Sequence, residues 1–427
     1  MRRAQNAASM LEAIRKETPD LVVQILAPQV ETLFGAVGAR SGFADVKGLF
    51  LDLGGGSVQM TYMDTYAAKL NAQADGGVNY EIAAALAGQS MPFGAARLIR
   101  FLETSDSEVR HAETSKLQAS MAESFHKLRT SFPTLAATTA AALDGDKKST
   151  GVDVYLCGGG FRGYGSMLMH NDPIRPYPIA SIGSYVASGK AFGKTKDMTK
   201  INKSYEGKIF GMSKRRRAQF PAIVTVVEGL IAAIPRIRSV TFCAGGNREG
   251  ALMMKLPLSI RESDPLTCLE IRGLSTMLSP VQDGSGAQHL LDTLVSALPQ
   301  SLGDVDTTTV FGLQLGRIYA SRIWDGLGAD SDANSSAALH DAVTQNLGTP
   351  GLTHLRRAVL GLTLCARWGT SLGAIDQQLY RSLCAMVDAV DPDALFWAAY
   401  IGAVSAVLAM VVTRWPKDIN AIAESIR

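Results

Sequence analysis

Gly48-Leu49-Phe50-Leu51-Asp52-Leu53-Gly54-Gly55-Gly56-Ser57 is an apolar run with one acid near its end that breaks into three consecutive glycines. A short apolar run bounded by glycine reads as a buried strand ending at Leu53. The glycines let the backbone approach a bound anion closely, because no Cβ intervenes and positive φ costs little. Several amides pointing into one concavity then hold a phosphate without a lysine. Asp52 projects toward that phosphate, where a carboxylate is tolerated mainly with a cation between the two. Mg²⁺ or another hard divalent ion is therefore expected, with Asp52 as its ligand. Ser57 adds a hydroxyl donor. A lone run of glycines is also what a tight turn looks like, so the context decides.

The same device occurs twice more. Val152–Leu156 runs into Gly158, Gly159 and Gly160, and Ser239–Cys243 into Gly245-Gly246-Asn247-Arg248-Glu249-Gly250. Strands that each end in a glycine turn are expected where several loops converge on one cleft at the strand carboxyl ends. Two other phosphate motifs are near misses. Gly158, Gly160 and Gly163 fit G-x-G-x-x-G but no ribose-binding acid follows, and GKAFGKT (189–195) is one residue short of a Walker A loop. Around the turns, helices are expected over 1–17, Glu31–Ala39, most of 78–145, from the second glycine turn through Met169, and over Phe220–Ile234. A strand is expected at Leu21–Leu26, a returning hairpin arm at Val58–Met63 and a polar loop at 144–151. The order is α/β. From Pro265 onward the pattern is helices joined by polar loops, the clearest at Ala329–Ser336, so a domain boundary is placed within 256–265.

A chain of 427 residues is long enough for two or three domains. Its net charge of +3 gives no broad field for nucleic acid or an anionic membrane, and neither is an expected partner. The dense basic cluster Lys214-Arg215-Arg216-Arg217 reads either as a solvated helix start or as a channel for a polyanion. The five cysteines show no CxxC pair or metal-ligand spacing and read as buried, reduced thiols. The start lacks the apolar core of a signal peptide, and a cytoplasmic location is expected. Leu395–Val412 reaches the length of a membrane span; the favoured reading is a central helix of an all-helical domain, apolar all round because neighbours surround it.

The loops carry a family resemblance. LDLGGGSVQ (51–59) resembles the second phosphate loop, D-I-G-G-G-S-T-E, of the exopolyphosphatase and guanosine-pentaphosphate phosphatase family. MPFGAARL (91–98) resembles its L-P-L-G-A-V-R-L, LCGGGFRGYG (156–165) its second glycine turn, GGNREG (245–250) its G-L-R-E-G, and Arg2, Ala4 and Asn6 its R-x-A-x-N helix. The wording of GGGSVQMTYMDT and GGGFRGYGSMLMH is similar to that of a fungal subgroup of regulators of mitochondria-to-nucleus signalling. The resemblance implies an actin-like ATPase (ribonuclease H-like) fold, with 1–46 a remnant of a truncated first lobe, 47–257 the second lobe and 262–427 an all-α C-terminal domain. It implies Glu31 as the catalytic group that orients or deprotonates water, Asp52 as the metal-binding aspartate, and Arg2, Gly54, Gly55, Gly56, Ser57, Gly158, Gly159, Gly160 and Arg248 as phosphate or nucleotide contacts. The implied ligand is ATP, another nucleotide or polyphosphate; the implied partners are regulatory proteins and a second copy in a homodimer. The sequence departs from the family at Gln59, where a glutamate is usual, and in having no D-x-G-S-N-S first phosphate loop. Losing that carboxylate weakens Mg²⁺ binding, which sets a regulator that senses a phosphate ligand against a working phosphoanhydride hydrolase.

Overall fold

The computed structural model describes residues 6–72, 79–104, 106–144, 150–266, 291, 292, 294–296, 298, 299, 307–326, 328, 330–345 and 347–412. They fall into two units, Met1–His170 with Ile182–Glu262, and Asn171–Ser181 with Ser263–Arg427.

The first unit opens with α1 (Ala7–Glu17), which buries no residue, and α2 (Pro28–Arg40), which starts on a proline and buries most of its second half. Between them, the strand expected at Leu21–Leu26 does not form. The segment carries no regular structure, and Leu21 and Val22 are exposed. β-branched residues favour strands only where a neighbouring strand takes up their amides, and none does so here among the described residues. β1 (Lys47–Leu53) and β2 (Val58–Asp64) then form a hairpin. All seven residues of β2 are buried despite its alternating sequence, since helices cover both faces of the sheet. After them come α3 (Thr65–Ala72), α4 (Tyr80–Ala87), the short strand β3 (Gln89–Met91), α5 (Ala95–Leu102), α6 (Ser107–Ser131), α7 (Pro133–Asp144), β4 (Val152–Cys157) and α8 (Gly158–His170). The unit ends with β5 (Tyr185–Ser188), α9 (Gly189–Phe192), α10 (Thr195–Ser204), α11 (Lys214–Ala218), α12 (Phe220–Ala233), β6 (Ile237–Phe242), α13 (Asn247–Met253) and α14 (Leu258–Arg261). The edge strands β3 and β5 carry no strand signal above that of the loops around them; each is set by pairing with its neighbour in the sheet.

The sheet order is β3-β2-β1-β4-β6-β5. β1, β4 and β6 are parallel, whereas β2, β3 and β5 pair antiparallel to their neighbours. Alternation along β1 sends Phe50 and Asp52 to the face covered by α2, where Phe50 packs with Ala36 and Val37. Leu53 points the other way, against Gly160 of α8.

The regular elements described in the second unit are helices, among them Gly316–Arg322, Ser331–Thr344, His354–Arg367, Ala374–Asp388 and Ala394–Val411. Within the loop expected at Ala329–Ser336, Ser331–Ser336 instead starts a helix, and Ala329 lies outside the described residues. Asp330 is the N-cap, its carboxylate accepting from the amides of Asp332 and Ala333 at 2.9 and 3.2 Å. The excursion Asn171–Ser181 belongs to this unit. Ile179 is fully buried in its core, and the Tyr177 hydroxyl lies 2.7 Å from His354 Nδ1. The long apolar helix Ala394–Val411 is packed on one side only, not surrounded as its sequence implied. Ala394, Ala398, Ile401, Gly402, Ser405 and Leu408 are buried, while Phe396, Val407 and Met410 are exposed. Gly402 and the buried Ser405, bonded to Tyr319 Oη at 2.6 Å, let its inner stripe sit close to its neighbours.

Candidate functional site

Because β1, β4 and β6 are parallel and adjacent, their glycine turns emerge at one end of the sheet. Asp52 stands beside Cys157 in the β1–β4 register, and Leu156 beside Phe242 in the β4–β6 register. The hairpin turn closes with the Gly54 amide donating to Ser57 O at 3.1 Å. A Cβ on Gly56 would meet nothing within 4 Å, and those on Gly54 and Gly55 only ordinary contacts at 3.6 Å, so this loop faces open space.

The stretch 91–98 has a mechanical role. The first amides of α5, on Ala95, Ala96 and Arg97, donate to the carbonyls of Gly54 and Gly55 at 3.0–3.1 Å. The helix start thus turns the Gly54 and Gly55 carbonyls away from the open side of the loop, where the Gly55 and Gly56 amides stay available. Gly94 makes this possible, since a Cβ there would stand 2.3 Å from Gly56 N. Gly94→Ala is therefore expected to push the loop off its helix, lowering phosphate or nucleotide affinity at least about tenfold and stability by roughly 1–3 kcal/mol. Titration calorimetry and urea denaturation read the two effects; wild-type affinity in the variant would remove the buttress from the argument.

The second turn is the start of a helix. Gly158, at φ +84°, and Gly159 and Gly160 form the first turn of α8, whose amides lack intrahelical acceptors. A Cβ on Gly159 would meet open space, whereas one on Gly158 would collide with Asp52 Oδ1 at 2.1 Å and one on Gly160 with Leu53 Cδ2 at 2.5 Å. Two of the three glycines are thus also demanded by close packing against β1.

At the third turn, Gly245 and Gly250 serve helix packing. Their Cβ atoms would lie 2.0 Å from Gly38 O and 1.8 Å from Phe34 O of α2. Arg248 is exposed. The residue of this turn that reaches the site is Asn247, whose Nδ2 donates to Asp52 Oδ2 at 3.2 Å and whose buried Oδ1 has no partner among the described residues. Sequence reading passed over Asn247 because it fills the variable second place of the motif.

Around Asp52 the charges are arranged by the helices. Glu31, in the first turn of α2, repels its carboxylate, and Arg162 of α8 attracts it. Burial and then Glu31, against the pull of Arg162, raise the Asp52 pKa from the ordinary 3.8 to about 6. Arg162 was not singled out from the sequence; its signal is an arginine two residues after the glycine run, and its buried Nε has no hydrogen-bond partner among the described residues. Gln59 is buried at 3 % exposure, and its Nε2 donates to Ser57 Oγ at 2.7 Å. Ser57 therefore keeps its own proton to donate outward. Arg2 lies outside the described residues. Among those residues no three His, Cys, Asp or Glu side chains gather as a metal site. The thiols of Cys157 and Cys243 behind the site are fully buried, which pushes both pKa values up.

Two of the four residues of the basic cluster are committed to structure. Arg216 Nη1 donates to Gly211 O at 2.6 Å, and Arg217 Nη2 to the carbonyls of Asn202 and Tyr205 at 2.8 and 2.5 Å.

Residues 1–151 match the Ppx/GppA phosphatase family and residues 275–421 the RTG2 C-terminal domain. Retrograde regulation protein 2 of Saccharomyces cerevisiae is 28% identical over 419 residues, 95% of this chain; the chain spans 65% of that relative's length. Among solved structures, the Ppx/GppA phosphatase of Aquifex aeolicus aligns over 60% of this chain and 72% of its own, with 18% identity and a TM-score of 0.39. An exopolyphosphatase from Cytophaga hutchinsonii aligns over 60% and 71%, with 17% identity and a TM-score of 0.39. The chain is thus similar to a Ppx/GppA phosphatase-family domain in its first third and to an RTG2 C-terminal domain in its last.

Proposed function

We propose that this protein is a cytoplasmic regulator of mitochondria-to-nucleus signalling whose glycine loops bind a nucleotide or polyphosphate and whose ligand state is passed on to protein partners. The observation that carries the reading is the convergence of three glycine turns on Asp52 at the carboxyl ends of adjacent parallel strands. The likeness to Retrograde regulation protein 2 supports the signalling part.

The polar atoms at the site fit a hard divalent cation: Asp52 is held against its ionisation by burial and by Glu31, and Asn247 Oδ1 is buried without a partner among the described residues. Asp52, Glu31 and Asn247 would hold Mg²⁺, which supplies charge neutralisation between carboxylate and phosphate. The chain's own groups then act on the ligand. The amides of Gly55, Gly56 and the α8 start receive phosphate oxygens, Ser57 donates its hydroxyl, and Arg162 offsets excess negative charge. Gln59 brings no charge to this set.

One observation favours the alternative, a metal-dependent phosphoanhydride hydrolase acting on polyphosphate or guanosine pentaphosphate. Glu31 stands close enough to Asp52 to raise its pKa, and a carboxylate so placed orients or deprotonates an attacking water. Titrating ATP, GTP and short-chain polyphosphate with Mg²⁺, while following phosphate release in the same samples, separates the two. Binding without release is expected of the regulator, and release that depends on Glu31 of the hydrolase. Absence of both would end the phosphate reading. Gln59→Glu is expected to tighten Mg²⁺ binding roughly tenfold and to start slow phosphate release; unchanged affinity would remove residue 59 from the cation's surroundings.

A further inference from the structure

Residues 189–217 hold ten lysines and arginines against two carboxylates, Asp197 and Glu206, a net +8 in a chain whose total is +3. The rest of the chain is therefore at −5. The segment is well formed rather than a loose tail. α10 buries Thr195 and Met198, and its opposite face carries Lys196, Lys200 and Lys203 at i, i+4 and i+7, all exposed. Lys190, Lys194, Lys208, Lys214 and Arg215 are exposed as well. Among the described residues none of these eight side chains is in an ion pair. Arg216 and Arg217 spend their guanidinium groups on backbone carbonyls and so lock α10, the 205–211 loop and α11 into one surface. On that loop Phe210 is 51 % exposed, although its neighbour Ile209 is buried.

We propose that this surface, centred on Lys196, Lys200 and Lys203 with Phe210 on the adjoining loop, docks a short acidic segment of a partner protein. The proposal deepens the regulator reading and rests on it. Three features select this partner chemistry over other polyanions. The lysine face of α10 spans only about 10 Å, the reach of a few residues of a partner chain. A nucleic acid or membrane would extend beyond the patch and meet a chain whose remaining residues total −5. Finally, Arg216 and Arg217 are bonded to backbone carbonyls, so seven of the eight exposed cations are ammonium groups, which pair with carboxylates as point charges and lack the planar fork used in phosphate and base recognition; Arg215 is the exception. Exposed Phe210 adds an apolar contact, so a segment mixing carboxylates with large apolar side chains fits better than a run of acids alone.

The test uses the full chain and a fluorescent synthetic peptide of glutamates interrupted by two phenylalanines. It is expected to bind in a salt-dependent way, more tightly than the all-glutamate peptide. Lys196→Glu/Lys200→Glu/Lys203→Glu should weaken it at least about tenfold, and Phe210→Ser should remove the preference for phenylalanine. If charge reversal disturbs folding, Lys196→Gln/Lys200→Gln/Lys203→Gln gives the same comparison with a smaller loss. Mg²⁺-dependent nucleotide binding is measured in parallel and should not change in these variants. Its absence from the wild type would instead count against the regulator reading and leave the peptide result intact. Tighter binding of single-stranded DNA, polyphosphate or phosphatidylserine vesicles to the same lysines would overturn the proposal. So would salt-sensitive self-association through this face, which would make a second copy the occupant.

Discussion

Asp52→Asn is expected to make the cation-free protein more stable at pH 8, by about 3 kcal/mol, while abolishing Mg²⁺-dependent ligand binding. The sign follows from the direction in which the fold moves this acid. Burial and Glu31 raise the folded-state pKa from 3.8 to about 6, so the folded chain holds this proton longer than the unfolded chain does. The stabilising contribution of the protonated form is complete below about pH 3.8 and is lost as the pH rises through about 6. Above that window the wild type carries an ionised, buried acid, at a cost of about 1.4 kcal/mol for each tenfold gain in proton affinity on folding. Asparagine has the same shape, still accepts from Asn247 Nδ2, and never ionises. Urea denaturation at pH 4 and pH 8 without divalent ions should show the two proteins converging at the lower pH and separating at the higher. Adding Mg²⁺ should stabilise the wild type alone, because a cation relieves the repulsion that asparagine does not suffer. Equal stability at pH 8 would show that Asp52 is not held against its ionisation.

Gly38→Ala should be among the most damaging small substitutions in the first unit. α2 and α13 cross with backbone against backbone, and a Cβ at Gly38 would lie 1.9 Å from Gly246 O and 2.7 Å from Gly250 N. No flexible side chain is there to yield, so the helices must part. Overpacking of this kind costs on the order of 3 kcal/mol, and at roughly 2–4 °C per kcal/mol for a domain of this size the melting temperature should fall accordingly. The site is expected to suffer as well. α2 carries Glu31 and α13 carries Asn247, so moving one helix off the other changes the distance of both groups from Asp52. A melting temperature within a degree or so of wild type would mean that the two backbones are not in contact in solution.

Much of the site was legible because glycine and acid at strand ends are local signals. Asp52, the three glycine turns and α2 with its Glu31 could be placed without knowing what packs on them. Asn247 and Arg162 could not, since their roles depend on which helix start faces which strand, and that is settled by the parallel pairing of β1, β4 and β6. The reading of the glycines was also coarser than the molecule. Gly55, Gly56 and Gly159 face open or loosely contacted space, whereas Gly38, Gly94, Gly160 and Gly250 let one piece of chain touch another. Sequence does not separate the two uses, because both ask only for a missing Cβ. Leu21–Leu26 and Ala329–Ser336 failed for a related reason: a β-branched run needs a partner strand, and a polar run beginning with aspartate serves a helix cap as readily as a loop.

The excursion Asn171–Ser181 means that the chain passes between the two units three times, at His170, at Ser181 and at Glu262. A single cut near Glu262 leaves the tether through 171–181 intact, and a gene fragment starting at Ser263 lacks Ile179 and Tyr177, a plug and a hydroxyl that its helical core is built around. The N-terminal part ending at Glu262 keeps that plug with nothing to fill, exposing apolar side chains to solvent. Any dissection of this protein into halves, and any gene fusion that exchanged one half for another, has to move those eleven residues with the C-terminal part or supply them in trans.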